Sequence, residues 1–166
     1  MKKSDTSIHS ICIAKIKRST IKPYDFKWTL FYENDSKVLF QNYPFELHAE
    51  ELIICSTIID FDNFSILTTR KLITSENGKV NFGNLINAKN LLYGEFKSEK
   101  DDFTFGKIEL ENGEILKYFI ETRKASMVMV QGVKTAIDIQ QMKENQMEKV
   151  TNIWDRHTEK FNKNKN

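Results

Sequence analysis

From residue 50 to residue 121 short runs of β-branched, aromatic and other apolar residues, some alternating with polar ones, are separated by short polar clusters, and after residue 124 apolar residues recur every three or four positions. Such a change of period predicts a set of antiparallel strands followed by helix. The run "ELIICSTIIDF" at 51 to 61 is β-branched and apolar, and the "DFDNF" that overlaps its end supplies Asp60, Asp62 and Asn63 for a turn into the next strand. That strand is read as continuous through "FSILTTRKLITS". Alternation places Phe64, Ile66, Thr68, Arg70 and Leu72 on one face and Ser65, Leu67, Thr69, Lys71 and Ile73 on the other.

Two Asn-Gly dipeptides, at 77 to 78 and 112 to 113, sit between strand-like residues. Both are read as hairpin turns, because a type I′ turn needs positive φ at its two central positions. The segments "GKVNFGNL" at 78 to 85, "LLYGEFK" at 91 to 97, "DFTFGKIEL" at 102 to 110 and "EILKYFIE" at 114 to 121 complete a meander of six or seven strands. In "RKASMVMVQGVKTAIDIQQM" the residues Met129, Val133, Ala136 and Ile137 recur at helical spacing, with Gly132 as a weak point or a place of close packing. The rhythm continues through Met147, Val150, Trp154, His157 and Phe161, as one helix bent at 140 to 146 or as two that meet there. The terminal "KFNKNKN" is expected to fray.

The first fifty residues follow neither period cleanly. "KWTLFYENDSKVLFQNY" at 27 to 43 suits a hairpin turning at Asn34 to Ser36, with a short helix followed by a strand as the alternative. Pro44 suits the first turn of a short helix over "FELHAEEL". The fold class expected is therefore α+β, mainly β: an antiparallel meander forming a barrel or sandwich, capped by a C-terminal helix. Residues 1–49 are an N-terminal extension packed on the core, 50–142 the main domain and 143–166 a helical C-terminal extension.

A chain of 166 residues can bury a core without metals or disulfides. Its 25 basic and 23 acidic residues leave a net charge of +2, too little for the basic footprint of a nucleic-acid binder. Cys12 and Cys55 are far apart in the chain, with no CxxC and no paired His, so they are read as reduced, buried thiols with no zinc site. The apolar stretch from Ile8 to Ala14 is interrupted by His9 and Ser10 and is too short for a signal peptide or a membrane span, which points to a cytoplasmic protein. His9, His48 and His157 are scattered without a nucleophile partner, no glycine-rich phosphate loop occurs, and Asp60 and Asp62 read as turn residues. No cofactor is expected.

The stretch "FSILTTRKLITSENGKVNFGNLINAKNL" resembles the bacterial pleckstrin-homology-like (GRAM-type) pattern of a strand with an arginine leading through a turn to a further strand. The later "IELENGEILKYFIE" is similar to that family's glycine-turn hairpin before its closing helix, which "ASMVMVQGVKTAID" would supply. The resemblance covers residues 50 to 142 and implies a non-catalytic interaction module that docks lipids, peptides or proteins. Members that hold phosphoinositides collect basic residues around the first hairpin loop. Here that loop carries Asp60 and Asp62, so a phosphoinositide or an anionic membrane is not the expected partner.

Two groups of residues are candidates for binding a partner. Arg70, Lys71 and Lys79 flank the first Asn-Gly hairpin and suit an anion or a protein surface, against a structural reading in which Arg70 pairs with a strand carboxylate. Met147, Val150, Trp154 and Phe161 form an amphipathic stripe that either packs on its own domain or meets a partner or a second copy. The function expected is protein binding, in a partner-neutralising or scaffolding role. The alternative is a small-ligand or lipid binder using the barrel mouth.

Overall fold

The structure, a computed structural model, describes residues 4–142 together with residues 152, 153 and 156. Helix α1 spans Asp5–Ser19 and helix α2 spans Ser126–Gln141, and eight strands lie between them: β1 Thr29–Phe31, β2 Ile53–Ile58, β3 Phe64–Thr68, β4 Lys71–Glu76, β5 Lys79–Asn84, β6 Lys89–Leu92, β7 Phe103–Glu109 and β8 Ile115–Glu121. The fold is α+β and mainly β. The strands form two antiparallel sheets, β1-β2-β3-β4-β5 and β6-β7-β8, with neighbours in sequence also neighbours in space. No strand pairing among the described residues joins the two sheets into a closed barrel.

Strands β2 to β4 of the five-stranded sheet are buried on both faces, and their register explains how. Cross-strand pairs Leu67↔Leu72 and Ser65↔Thr74 lie on one face, while Ile66↔Ile73 and Phe64↔Ser75 lie on the other. The first face packs against the two helices and β8 in a cluster that includes Ile16, Cys55, Leu67, Leu72, Tyr118, Met129 and Val133. The second packs beneath the chain from 32 to 47, where Tyr32, Phe40, Tyr43 and Phe45 gather over Phe64. Gly132 is a point of close packing: a Cβ there would lie 3.0 Å from Cys55 Sγ and 3.1 Å from Leu67 Cδ2. Burial pushes both thiols well above their ordinary range, and Cys12 and Cys55 are free and buried.

The helix after residue 124 and the strands of 50 to 121 stand where the periodicity places them, except that β6 covers 89–92 and not 91–97. The first Asn-Gly turn has Asn77 at φ 53° and Gly78 at φ 80°, as a type I′ turn requires. The second differs. Gly113 alone has positive φ, at 86°, Gly113 N–H donates to the Leu110 carbonyl, and Leu110 N–H donates to Glu114. That is a three-residue loop closed by a glycine bulge.

Three further expectations are corrected. The stretch from Phe64 to Ile73 is not one strand, because the chain reverses at Thr69 and Arg70 and begins β4 at Lys71. Leu72 therefore faces with Leu67 and not with Phe64. No hairpin forms over 27 to 43: β1 pairs with β2, and Lys37–Phe40 is a 3-10 turn. Nor does a helix follow Pro44, since the carbonyls of Glu46, Ala49 and Glu51 are taken by the ammonium groups of Lys71 and Lys37.

The N-terminal segment supplies α1, which the periodicity did not reveal. Ser4 caps it by accepting from Ser7 N–H, Asp5 lies in its first turn, and Lys17 and Arg18 lie in its last, each favourable to the helix dipole. Ile8, Cys12 and Ile16, four residues apart, face the core and pack against α2 and β2.

Candidate functional site

The turn at Thr69 and Arg70 is built by hydroxyl groups. Thr68 Oγ1 accepts from the backbone N–H of Arg70 at 3.1 Å and of Lys71 at 3.0 Å, which holds the reversal without glycine, asparagine or proline. Arg70 then reaches the N-terminus of α1. Its Nε lies 3.0 Å from Asp5 Oδ1 and its Nη2 lies 2.7 Å from Asp5 Oδ2, a two-pronged pairing, and Thr69 also donates to Asp5. Burial works to raise the Asp5 carboxyl, but the bonds from Arg70 and Thr69 and the Arg70 charge outweigh it and hold the group below the usual carboxylate range. Beside this pair lies a cleft of about 470 Å³ lined by Ser4, Asp35, Lys37, Glu50 and Leu52 among others. Its cations are already engaged: Arg70 by Asp5 and Glu50, and Lys37 by Asp35 and two carbonyls.

Lys71 is also held by its own chain. Its Nζ donates to the Glu46 carbonyl at 2.9 Å, lies 3.6 Å from the buried Glu51 carboxylate and sits 5.6 Å from the centre of the Phe82 ring. Lys79 is exposed at the far end of the same hairpin, since Lys71 pairs with Asn84 and Glu76 pairs with Lys79. The three basic candidates are therefore not brought together. Met147, Val150, Trp154 and Phe161 lie outside the described residues, as does His157.

The remaining candidates serve the fold. Asp60 Oδ1 accepts from the backbone N–H of Asp62 and of Asn63, each at 2.8 Å, so it shapes the β2–β3 turn. His9 is buried with Nε2 2.7 Å from the Tyr32 carbonyl, and burial lowers its basicity. No group of three or more His, Cys, Asp or Glu able to hold a metal occurs among the described residues.

Among the described residues the five-stranded sheet is open at β5. In a hairpin closed by a two-residue turn, Glu76 and Lys79 exchange hydrogen bonds, and so do Thr74 with Asn81 and Leu72 with Gly83. The N–H and C=O groups of Val80, Phe82 and Asn84 therefore point away from β4, and β5 is the last strand of its sheet. Those groups have no hydrogen-bond partner among the described residues. Other strand ends are short or covered: β1 has three residues, β6 has four and a register shift between Asn90 and Leu92, and β8 gives Phe119 N–H to Ser65 Oγ at 2.8 Å.

Phe82 is 68% exposed in the middle of this edge. On its face of the sheet a cleft of about 390 Å³ is lined by Pro44, Phe45, Ile73 and Val80, with Glu46 and Lys71 at its border. On the opposite face the β7–β8 turn approaches so closely that a Cβ on Gly83 would stand 2.3 Å from Leu110 Cδ2, and a second cleft of about 300 Å³ opens beside it. No family model, curated protein or solved structure matches this chain. Among the described residues no helix is long and apolar enough to cross a membrane.

Reading the sequence for charge missed Val80, Phe82 and Asn84. "KVNFGN" reads as a strand, but whether a strand is central or last depends on where the meander breaks. Here it breaks after Asn84, and β6 starts the other sheet.

Proposed function

We propose that this protein is a non-catalytic, cytoplasmic interaction module of pleckstrin-homology-like design that binds protein along the edge of β5. The observation that carries the reading is the row of backbone groups at Val80, Phe82 and Asn84 that have no partner among the described residues, beside the exposed Phe82 ring. A polypeptide in extended form would complete that ladder and set alternate side chains into the clefts on either face. Two packed antiparallel sheets followed by a helix are in keeping with the layout that the family resemblance implies. The engagement of Arg70, Lys71 and Lys37 by carboxylates and carbonyls argues for protein over an anionic membrane, which needs several free basic residues together.

The test compares tagged wild-type protein with Phe82→Glu and Arg70→Ala for polypeptides retained from cell extract, with circular dichroism to verify folding. Retention that is lost in Phe82→Glu and kept in Arg70→Ala supports the reading. Salt-sensitive sedimentation with anionic vesicles that disappears in Arg70→Ala would replace it with the lipid alternative.

A further inference from the structure

We infer that the strand completing the β5 edge is β5 of a second copy, the two running antiparallel about a two-fold axis at Phe82 and joining their five-stranded sheets into one. This inference rests on the protein-binding reading above and names the partner at the same edge.

Register is the first ground. In an antiparallel ladder, residues whose hydrogen-bonding groups point outward must face residues of the same kind. The outward residues of β5 are Val80, Phe82 and Asn84. An axis at Phe82 sets Phe82 against Phe82 of the second copy and Val80 against Asn84 in both directions, so all three residues of each copy are paired. Moving the axis by one residue along the strand leaves an outward residue without a strand position to face. Each narrow pair exchanges two N–H···O=C bonds.

Charge is the second. From Val80 to Asn84 the strand carries no ionisable side chain, so self-pairing sets no like charges opposite one another. Lys79 precedes this stretch, and the axis sends the two Lys79 side chains to opposite ends of the ladder, roughly 20 Å apart at about 3.4 Å per residue. A partner of strong charge finds no matching surface. The cleft on the Phe82 face is bordered by both Glu46 and Lys71, and the one on the other face by Glu76, Glu114 and Lys117. A neutral strand with an apolar centre fits this edge, and β5 is such a strand.

Burial is the third. Phe82 and Val80 share a face with Ile73, so in the paired arrangement the two Phe82 rings meet across the axis over a surface continuous with the apolar cleft. Aromatic cross-strand pairs are among the stabilising contacts of sheets. The edge thereby gains both hydrogen bonds and cover for its one large exposed ring.

Because residue 82 opposes itself at the axis, the register can be tested by charge reversal. Analytical ultracentrifugation from low micromolar to millimolar protein is expected to show a wild-type monomer–dimer equilibrium. Phe82→Glu and Phe82→Lys are each expected to raise the dimer dissociation constant by about tenfold or more, as loss of a central aromatic anchor does. Mixed in equal amounts, the two variants are expected to dimerise again. Val80→Pro provides a check that does not depend on charge: it removes an outward N–H that has no partner among the described residues, so it should stay folded and lose the dimer.

A wild type that remains monomeric throughout overturns the inference, as does a wild-type dimer whose charge-reversed variants fail to recombine. If the wild type is monomeric yet retains a different polypeptide through Phe82, the second copy is wrong and protein binding at the edge stands. If it is monomeric and no Phe82-dependent retention occurs, both fall.

Discussion

The corner at Arg70 and the edge at β5 lie on the same hairpin and are opposite in character. The corner is dense in charge, and nearly every charged group in it has a partner from its own chain: Asp5 with Arg70 and Thr69, Glu51 with Thr68 and His48 N–H, and Lys71 with the Glu46 carbonyl. The edge has no charge between Lys79 and Leu85, yet its outward backbone groups find no partner among the described residues. Charged side chains attract attention in a sequence because they resemble sites. Here they are used to close a turn onto a helix more than sixty residues away in the chain, and the open surface is backbone and phenylalanine.

If the corner is structural, breaking it should cost stability and spare binding. Asp5→Ala leaves the Arg70 guanidinium and the Thr69 hydroxyl without their acceptor. Because the Arg70 side chain is 27% exposed, water recovers part of the loss. The expected cost is about 1.5–3 kcal/mol, the range for hydrogen bonds to charged groups, read as a lower urea midpoint with an unchanged slope. Self-association and Phe82-dependent retention should persist at concentrations where the variant is folded. Loss of binding with no loss of stability would make the corner the site.

A smaller effect probes how the fold covers the edge of β8. Ser65 lies fully buried, accepts from Phe119 N–H at 2.8 Å and bonds to Thr74 Oγ1 at 2.9 Å. Ser65→Ala removes the acceptor of a buried N–H and should cost about 1–2 kcal/mol. The equivalent disturbance at β5 should cost nothing comparable: Phe82→Ala in dilute solution is expected to change stability by less than about 0.5 kcal/mol, as for exposed positions generally. Equal losses at the two positions would mean that β5 is covered after all.

Acid should separate the regions in the same sense. The folded Asp5 carboxyl titrates below its ordinary value of 3.8, so the unfolded chain takes up its proton first as pH falls. The stability that this group contributes is present above the ordinary value and is lost as pH falls through the lower folded one. Urea midpoints measured from about pH 5 to about pH 2 should therefore drop more steeply for wild type than for Asp5→Ala. Parallel curves would show that the Asp5–Arg70 pair contributes little.

What was legible in the sequence divides along similar lines. The turn at Asn77 and Gly78 and the helix from 126 to 141 are encoded locally, by residues that tolerate positive φ and by a repeat of three and four. The reversal at Thr69 and Arg70 was not legible, because it has none of the usual turn residues and depends on the Thr68 hydroxyl and on Asp5 from a distant helix. Helix α1 was obscured by its isoleucines, which suit a strand as well as a helix; Ser4 and Asp5 at its start were the available signal. Arg70 was legible as a candidate for pairing, though its partner is a helix carboxylate and not one on a strand. The open edge could not be read at all, since nothing in "KVNFGN" says that no sixth strand follows in that sheet.

Amide hydrogen exchange along β5, read residue by residue at several protein concentrations, tests the account most directly. The amides of Asn81, Gly83 and Leu85 are bonded within the chain and should be protected at every concentration. Those of Val80, Phe82 and Asn84 should exchange rapidly in dilute protein and become protected together as concentration rises. Protection of all six amides at every concentration would show that the edge is covered by its own chain. Rapid exchange of the outward three at every concentration would show that no second copy completes it.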